Sequence, residues 1–65
     1  MNKYEILKPI IKQLINSVEI EYDRETGEEV YLANTFEYSG YPIFISEEQY
    51  YLLDEIIKER ENEKS

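Results

Sequence analysis

Fifteen carboxylates and seven tyrosines supply most of the reactive chemistry of this 65-residue chain, which contains no cysteine and no histidine. Thiol nucleophiles, disulfides, zinc sites built on Cys or His, and the usual proton shuttle are thereby absent. Paired carboxylates can do acid–base work, but nothing in the spacing singles out one pair as buried. Asp23, Glu25 and Glu28 could offer oxygens to a calcium ion, yet their spacing is not that of an EF-hand loop. No catalytic residue, metal ligand or cofactor is assigned, and the chain is expected not to be an enzyme. Acidic and aromatic residues together suit recognition instead: aromatics at the centre of a charged rim make a binding patch.

The charge is unevenly placed. Residues 1–16 hold Lys3, Lys8 and Lys12 against Glu5, whereas residues 17–65 hold fourteen acids against Arg24, Lys58, Arg60 and Lys64. Phosphate contacts need a basic face, so nucleic acid and anionic membrane are not expected partners. A basic protein is. No signal peptide or membrane span is expected, which suits a cytoplasmic location. A chain of this length buries only about 60% of its unfolded surface, and no disulfide or Cys/His metal site staples it. Oligomerisation or partner binding is the remaining source of stability.

The clearest element boundary falls in Tyr41–Arg60, YPIFISEEQYYLLDEIIKER. Ile43 to Ile45 read as a short strand. Ser46 and Gln49 form a capping box that opens a helix, and Ile45 and Tyr50 take the positions of a hydrophobic staple. Advancing about 100° per residue puts Tyr50, Leu53, Ile56 and Ile57 on one face, with Leu52 at its margin and the Arg60 stem beside it. Tyr51 falls on the other face, among Glu47, Glu48, Asp54 and Glu55. Residues 61–65 are polar and expected to fray.

Before this comes a first helix, with Asn2 and Glu5 spaced as a second capping box, running to about Asn16 and kinked or restarted at Pro9. Its stripe of Leu7, Ile10, Ile11, Leu14, Ile15 and Val18, with Ile6 at the edge, is expected in the core. The period then changes to two. Val18, Ile20 and Tyr22 alternate with acids, and Val30 and Leu32 begin a second alternation that Phe36 and Tyr38 continue. A three-residue hairpin loop, Glu25-Thr26-Gly27, pairs Tyr22 with Val30 and Arg24 with Glu28 and places Gly27 at the left-handed position. A two-residue loop at Ser39-Gly40 pairs Tyr38 with Tyr41, Phe36 with Ile43 and Asn34 with Ile45. Pro42 then requires an edge strand. The predicted fold is α+β: helix, three-stranded antiparallel meander, helix, with both helices on one sheet face.

Parity assigns the other sheet face Glu19, Glu21, Glu29 and Glu37, with Thr35, Pro42, Tyr31 and Phe44. The carboxylates around Tyr31 and Phe44 are the first candidate docking surface. The helix face of Glu47, Glu48, Tyr51, Asp54 and Glu55 is the second. Either suits an inhibitor or adaptor that covers a basic, nucleic-acid-binding surface, with carboxylates in place of phosphates, the logic of small acidic phage-encoded inhibitors. The alternative is a homodimeric structural or regulatory module with Tyr31 and Phe44 buried against their symmetry mates. Residues 45–56, ISEEQYYLLDEI, resemble the strand-to-helix segment of Phd-type antitoxins over twelve residues.

Overall fold

The computed structural model describes residues 2–38 and 40–64. Helix α1 (Lys3–Leu14) is followed by strands β1 (Ile15–Tyr22), β2 (Glu29–Thr35) and β3 (Ile43–Ile45), then by helix α2 (Glu47–Lys64). The strands form one antiparallel sheet in the order β1-β2-β3, so the fold is the expected α+β arrangement, αβββα.

Asn2 starts α1: its Oδ1 accepts the Glu5 N–H at 2.8 Å, satisfying a donor of the first turn. Pro9 sits inside one continuous helix. The helix ends at Leu14, earlier than Asn16, and the chain enters β1 without a loop. Arg60 fastens this junction. Its side chain, 9% exposed, donates to the backbone oxygens of Lys12, Ile15 and Asn16. These carbonyls lie at the last turn of α1 and at a register shift between Ile15 and Ser17. A planar guanidinium with five N–H donors can hold several such carbonyls at once.

Lys8 Nζ lies 3.1 Å from Glu59 and Lys12 Nζ 2.8 Å from Glu63, so α1 lies against the C-terminal half of α2. This pairing corrects the expected phase of α1. Ile11 and Ile15 are half-buried, with Lys8 and Lys12 on the same side. Leu7, Ile10 and Leu14, expected in the core, are 50%, 52% and 51% exposed. The carboxylates of α2 draw the lysines inward, and the rest of the apolar stripe turns out.

The start of α2 is as expected: Ser46 N–H donates to Gln49 Oε1 at 2.8 Å, and Gln49 N–H to Ser46 Oγ at 3.1 Å. So is its phase. Ile56 is buried, Tyr50, Leu53 and Ile57 are half-buried, and Tyr51 is exposed. The segment from Glu61, expected to fray, continues the helix to Lys64, where the Lys12–Glu63 pair holds its last turn to α1.

The sheet register departs from the parity argument. Tyr22 pairs with Glu29, Ile20 with Tyr31 and Val18 with Ala33, one residue away from the expected alignment. Asp23 is the cause. Its Oδ1 accepts the N–H of Glu25 at 2.9 Å and of Thr26 at 3.4 Å, a side-chain turn that Asp favours. The Asp23 N–H donates to the Glu28 oxygen at 2.9 Å, so the loop runs from Arg24 to Gly27 and Arg24 does not oppose Glu28. Gly27 does take the left-handed conformation, with φ +75.

The second connection differs as well. Tyr41 N–H donates to the Tyr38 oxygen at 3.1 Å, closing the expected turn, with Gly40 at φ +92; Ser39 lies outside the described residues. But Thr35 Oγ1 accepts the Tyr38 N–H at 3.1 Å, and β2 ends there. Strand β3 pairs only as Tyr31–Ile45, Leu32–Phe44 and Ala33–Ile43, replacing the expected Asn34–Ile45 and Phe36–Ile43 pairs. Phe36 leaves the sheet and lies 5.3 Å beneath the Arg60 guanidinium.

Both helices lie on the sheet face that carries Val18, Ala33, Ile43 and Ile45. Leu32, on the opposite face, is nonetheless only 3% exposed. It occupies the central strand, paired with Glu19 on one side and Phe44 on the other.

Candidate functional site: an acidic, tyrosine-lined end

The one-residue shift of β2 rearranges the first candidate patch. Glu19, Glu21 and Phe44 remain together on the face away from the helices, beside Val30 and Leu32. Phe44 is 77% exposed. Glu19 accepts a hydrogen bond from Asn34 Nδ2 at 3.3 Å. Glu29 and Tyr31 have moved to the helix side. Glu37 belongs to no strand and lines a groove with Leu14, Phe36 and Tyr38. Tyr31 and Phe44 thus occupy opposite faces and cannot share a single patch or a symmetric contact centred on both.

What Tyr31 loses on one side it gains on the other. Its hydroxyl donates to Glu29 Oε2 at 2.9 Å, and Tyr22, from the paired strand, donates to Glu29 Oε1 at 3.4 Å. The Tyr31 ring centre lies 5.4 Å from that of Tyr50 at the start of α2. Tyr50 in turn meets Tyr51 edge-on at 5.3 Å, a favoured aromatic arrangement. Tyr22, Tyr31, Tyr50 and Tyr51 are therefore linked in a chain across the junction of the β1–β2 hairpin and α2. Glu47 and Glu48 flank it, forming an open recess with Ser46 and Tyr51. The two candidate patches meet here: Glu29 and Tyr31 from the sheet join Glu47, Glu48 and Tyr51 from the helix.

The electrostatics follow the geometry. The hydrogen bond to Glu29 pushes the Tyr31 phenol up to about 12, with burial and the charges of Glu29 and Glu47 acting in the same direction. Ionising the phenol would place a second anion against the carboxylate. Asp54 is set apart from the other acids because Lys58 lies 2.9 Å away, a contact that also holds the Lys58 ammonium above its ordinary value. Glu55 is exposed further along α2. Among the described residues, the ion pairs engage Glu5, Asp54, Glu59, Glu61 and Glu63, and none engages Glu29, Glu47 or Glu48. Lys8 and Lys12 are engaged along the α1–α2 seam, leaving the tyrosine end strongly acidic.

Tyr22 and Tyr50 were not among the residues expected at the site. The signal for them lies in Asp23: a side-chain turn there lengthens the loop by one residue, sets Glu29 opposite Tyr22 and turns Tyr31 toward the helix. Asp23 itself is occupied with backbone donors, and no group of three or more acidic side chains among the described residues is arranged to hold a metal ion. No helix among the described residues is long and apolar enough to cross a membrane. No protein-family model matches the chain, and comparisons with curated proteins and with solved structures give no match.

Proposed function

We propose that this chain is a non-enzymatic protein-binding module that occupies a basic, nucleic-acid-binding surface of a partner protein and so inhibits it. The observation that supports this reading is the linked array of Tyr22, Glu29, Tyr31, Tyr50 and Tyr51 beside Glu47 and Glu48, none of these three carboxylates having a cationic partner among the described residues. Unpaired carboxylates provide long-range attraction to Lys and Arg. The tyrosines provide rigid contact area, hydrogen-bonding hydroxyls and ring faces on which a guanidinium can stack. Glu19, Glu21 and Phe44 on the opposite sheet face form a separate and less aromatic surface.

Immobilised protein should retain basic proteins from a bacterial or phage-infected lysate at low salt and release them to heparin, a phosphate-like competitor. Glu47→Lys/Glu48→Lys should abolish retention, and Glu19→Lys/Glu21→Lys should weaken it far less. Retention that neither heparin nor the Glu47→Lys/Glu48→Lys change affects would refute the reading.

A further inference from the structure

Helix α1 carries two apolar stripes, and among the described residues only one is packed against the rest of the fold. Tyr4, Ile11 and Ile15 turn inward with Lys8 and Lys12. On the other side, Lys3, Leu7, Ile10 and Leu14 follow the alternating four–three spacing of a coiled-coil seam. Leu7, Ile10 and Leu14 are each about half exposed, and neighbouring Ile6 is 57% exposed. The stripe continues beyond the helix: Phe36, 51% exposed, donates its backbone N–H to the Leu14 oxygen at 3.1 Å. Tyr38, 65% exposed, shares a groove with Leu14 and Phe36. Six large apolar or aromatic side chains half or more exposed in one band offer on the order of 600 Å² per copy, approaching the roughly 800 Å² per partner of a standard interface.

The charges indicate what covers this band. The exposed stripe carries one cation, Lys3, with Glu37 beside its far end, on a chain with net charge -8. Lys8 and Lys12 are engaged with Glu59 and Glu63 on the inward side. A second copy is repelled less at this near-neutral stripe than at the acidic faces. The stripe is also self-complementary end to end. Lys3 opens it at the positive end of the helix dipole, and Glu37 stands beside Leu14 at the other end. Turning one copy by a two-fold axis across the seam brings Leu7 against the partner's Ile10 and Lys3 toward the partner's Glu37, the residue-to-residue reciprocity that a two-fold contact requires.

We infer that the exposed stripe of α1, extended by Phe36 and Tyr38, is the interface of a homodimer in which two α1 helices pack antiparallel. This surface lies apart from the acidic tyrosine end and leaves it open in both copies.

Sedimentation velocity on the full chain over a range of concentrations tests the inference. The wild type should pass from monomer to dimer, and raised salt should not dissociate it, because screening relieves the repulsion between two acidic copies. Leu7→Glu/Ile10→Glu should remain monomeric at every concentration while its circular dichroism spectrum matches the wild type, since both side chains are exposed. Lys3→Glu and Glu37→Lys should each weaken the dimer about tenfold, and the double exchange should restore it. A wild type monomeric throughout, or a dimer that persists in Leu7→Glu/Ile10→Glu, would overturn the inference. A dimer lost in Phe44→Ser but kept in the α1 variant would assign the interface to the opposite sheet face and overturn it equally. Failure of the double exchange to restore what the single changes lose would overturn the antiparallel packing.

Discussion

The rings of Tyr31 and Tyr50 stand 5.4 Å apart and join the middle of the sheet to the first turn of α2. The contact exists because β2 is set one residue away from the simplest alternating alignment. It makes one site out of residues that would otherwise lie on two sides of the molecule.

The Tyr31 phenol should titrate near 12, well above an ordinary tyrosine. Glu29→Gln should bring it back toward 10, as followed by ultraviolet difference absorption against Tyr31→Phe. The sign of the linkage is set by the raised folded value. The contribution of Tyr31 to stability is fully present below the unfolded pKa near 10 and is lost as pH rises from there through about 12.

Arg60 ties the end of α1 to the start of β1 through three backbone oxygens. Arg60→Met keeps much of the stem and removes every donor. It should cost on the order of 3 kcal/mol in urea unfolding, since hydrogen bonds to a charged group are strong and the carbonyls are left poorly satisfied. Arg24→Met, in the exposed hairpin loop, should fall within about 0.5 kcal/mol of wild type.

The hairpin loop gives a test of what sets the register. Asp23→Ala removes the acceptor for the Glu25 and Thr26 N–H groups and should cost about 1 kcal/mol. Gly27→Ala introduces a side chain at positive φ and should cost about 1–2 kcal/mol. Denaturant midpoints measure both, and an unchanged midpoint for Gly27→Ala would contradict the four-residue loop.

For α2, Ser46→Ala should cost about 0.5–2 kcal/mol through loss of the cap. Ile56→Ala should cost about 2–5 kcal/mol, because Ile56 is among the few side chains fully enclosed. Tyr51→Ala should cost far less than either, which thermal unfolding would show.

Local signals made much of this fold legible. The capping box at Ser46 and Gln49, the phase of α2 and the left-handed Gly27 each depend on residues close in sequence. The register was not legible from alternation alone, because Val30, Leu32 and Ala33 leave β2 apolar on both faces, and Asp23 then decides the loop length. The phase of α1 was hidden for a different reason. Its stripe is wide enough to face two directions, and the lysines between are drawn toward Glu59 and Glu63, some fifty residues away in sequence. The acids and Tyr51 of the α2 patch could be read directly from helical spacing. Their union with Glu29 and Tyr31 required the register.

Binding kinetics test the central claim most directly. With a partner recovered by heparin-sensitive capture, surface plasmon resonance should show Glu47→Lys/Glu48→Lys slowing association and flattening its salt dependence. Tyr51→Ala and Tyr22→Ala should instead speed dissociation, each weakening binding by about 2 kcal/mol if it is a buried anchor of the contact. Glu19→Lys/Glu21→Lys and Phe44→Ala, on the opposite sheet face, should leave both rates near wild type. Unchanged rates for the Tyr22, Glu47/Glu48 and Tyr51 variants, in proteins that remain folded, would contradict the account.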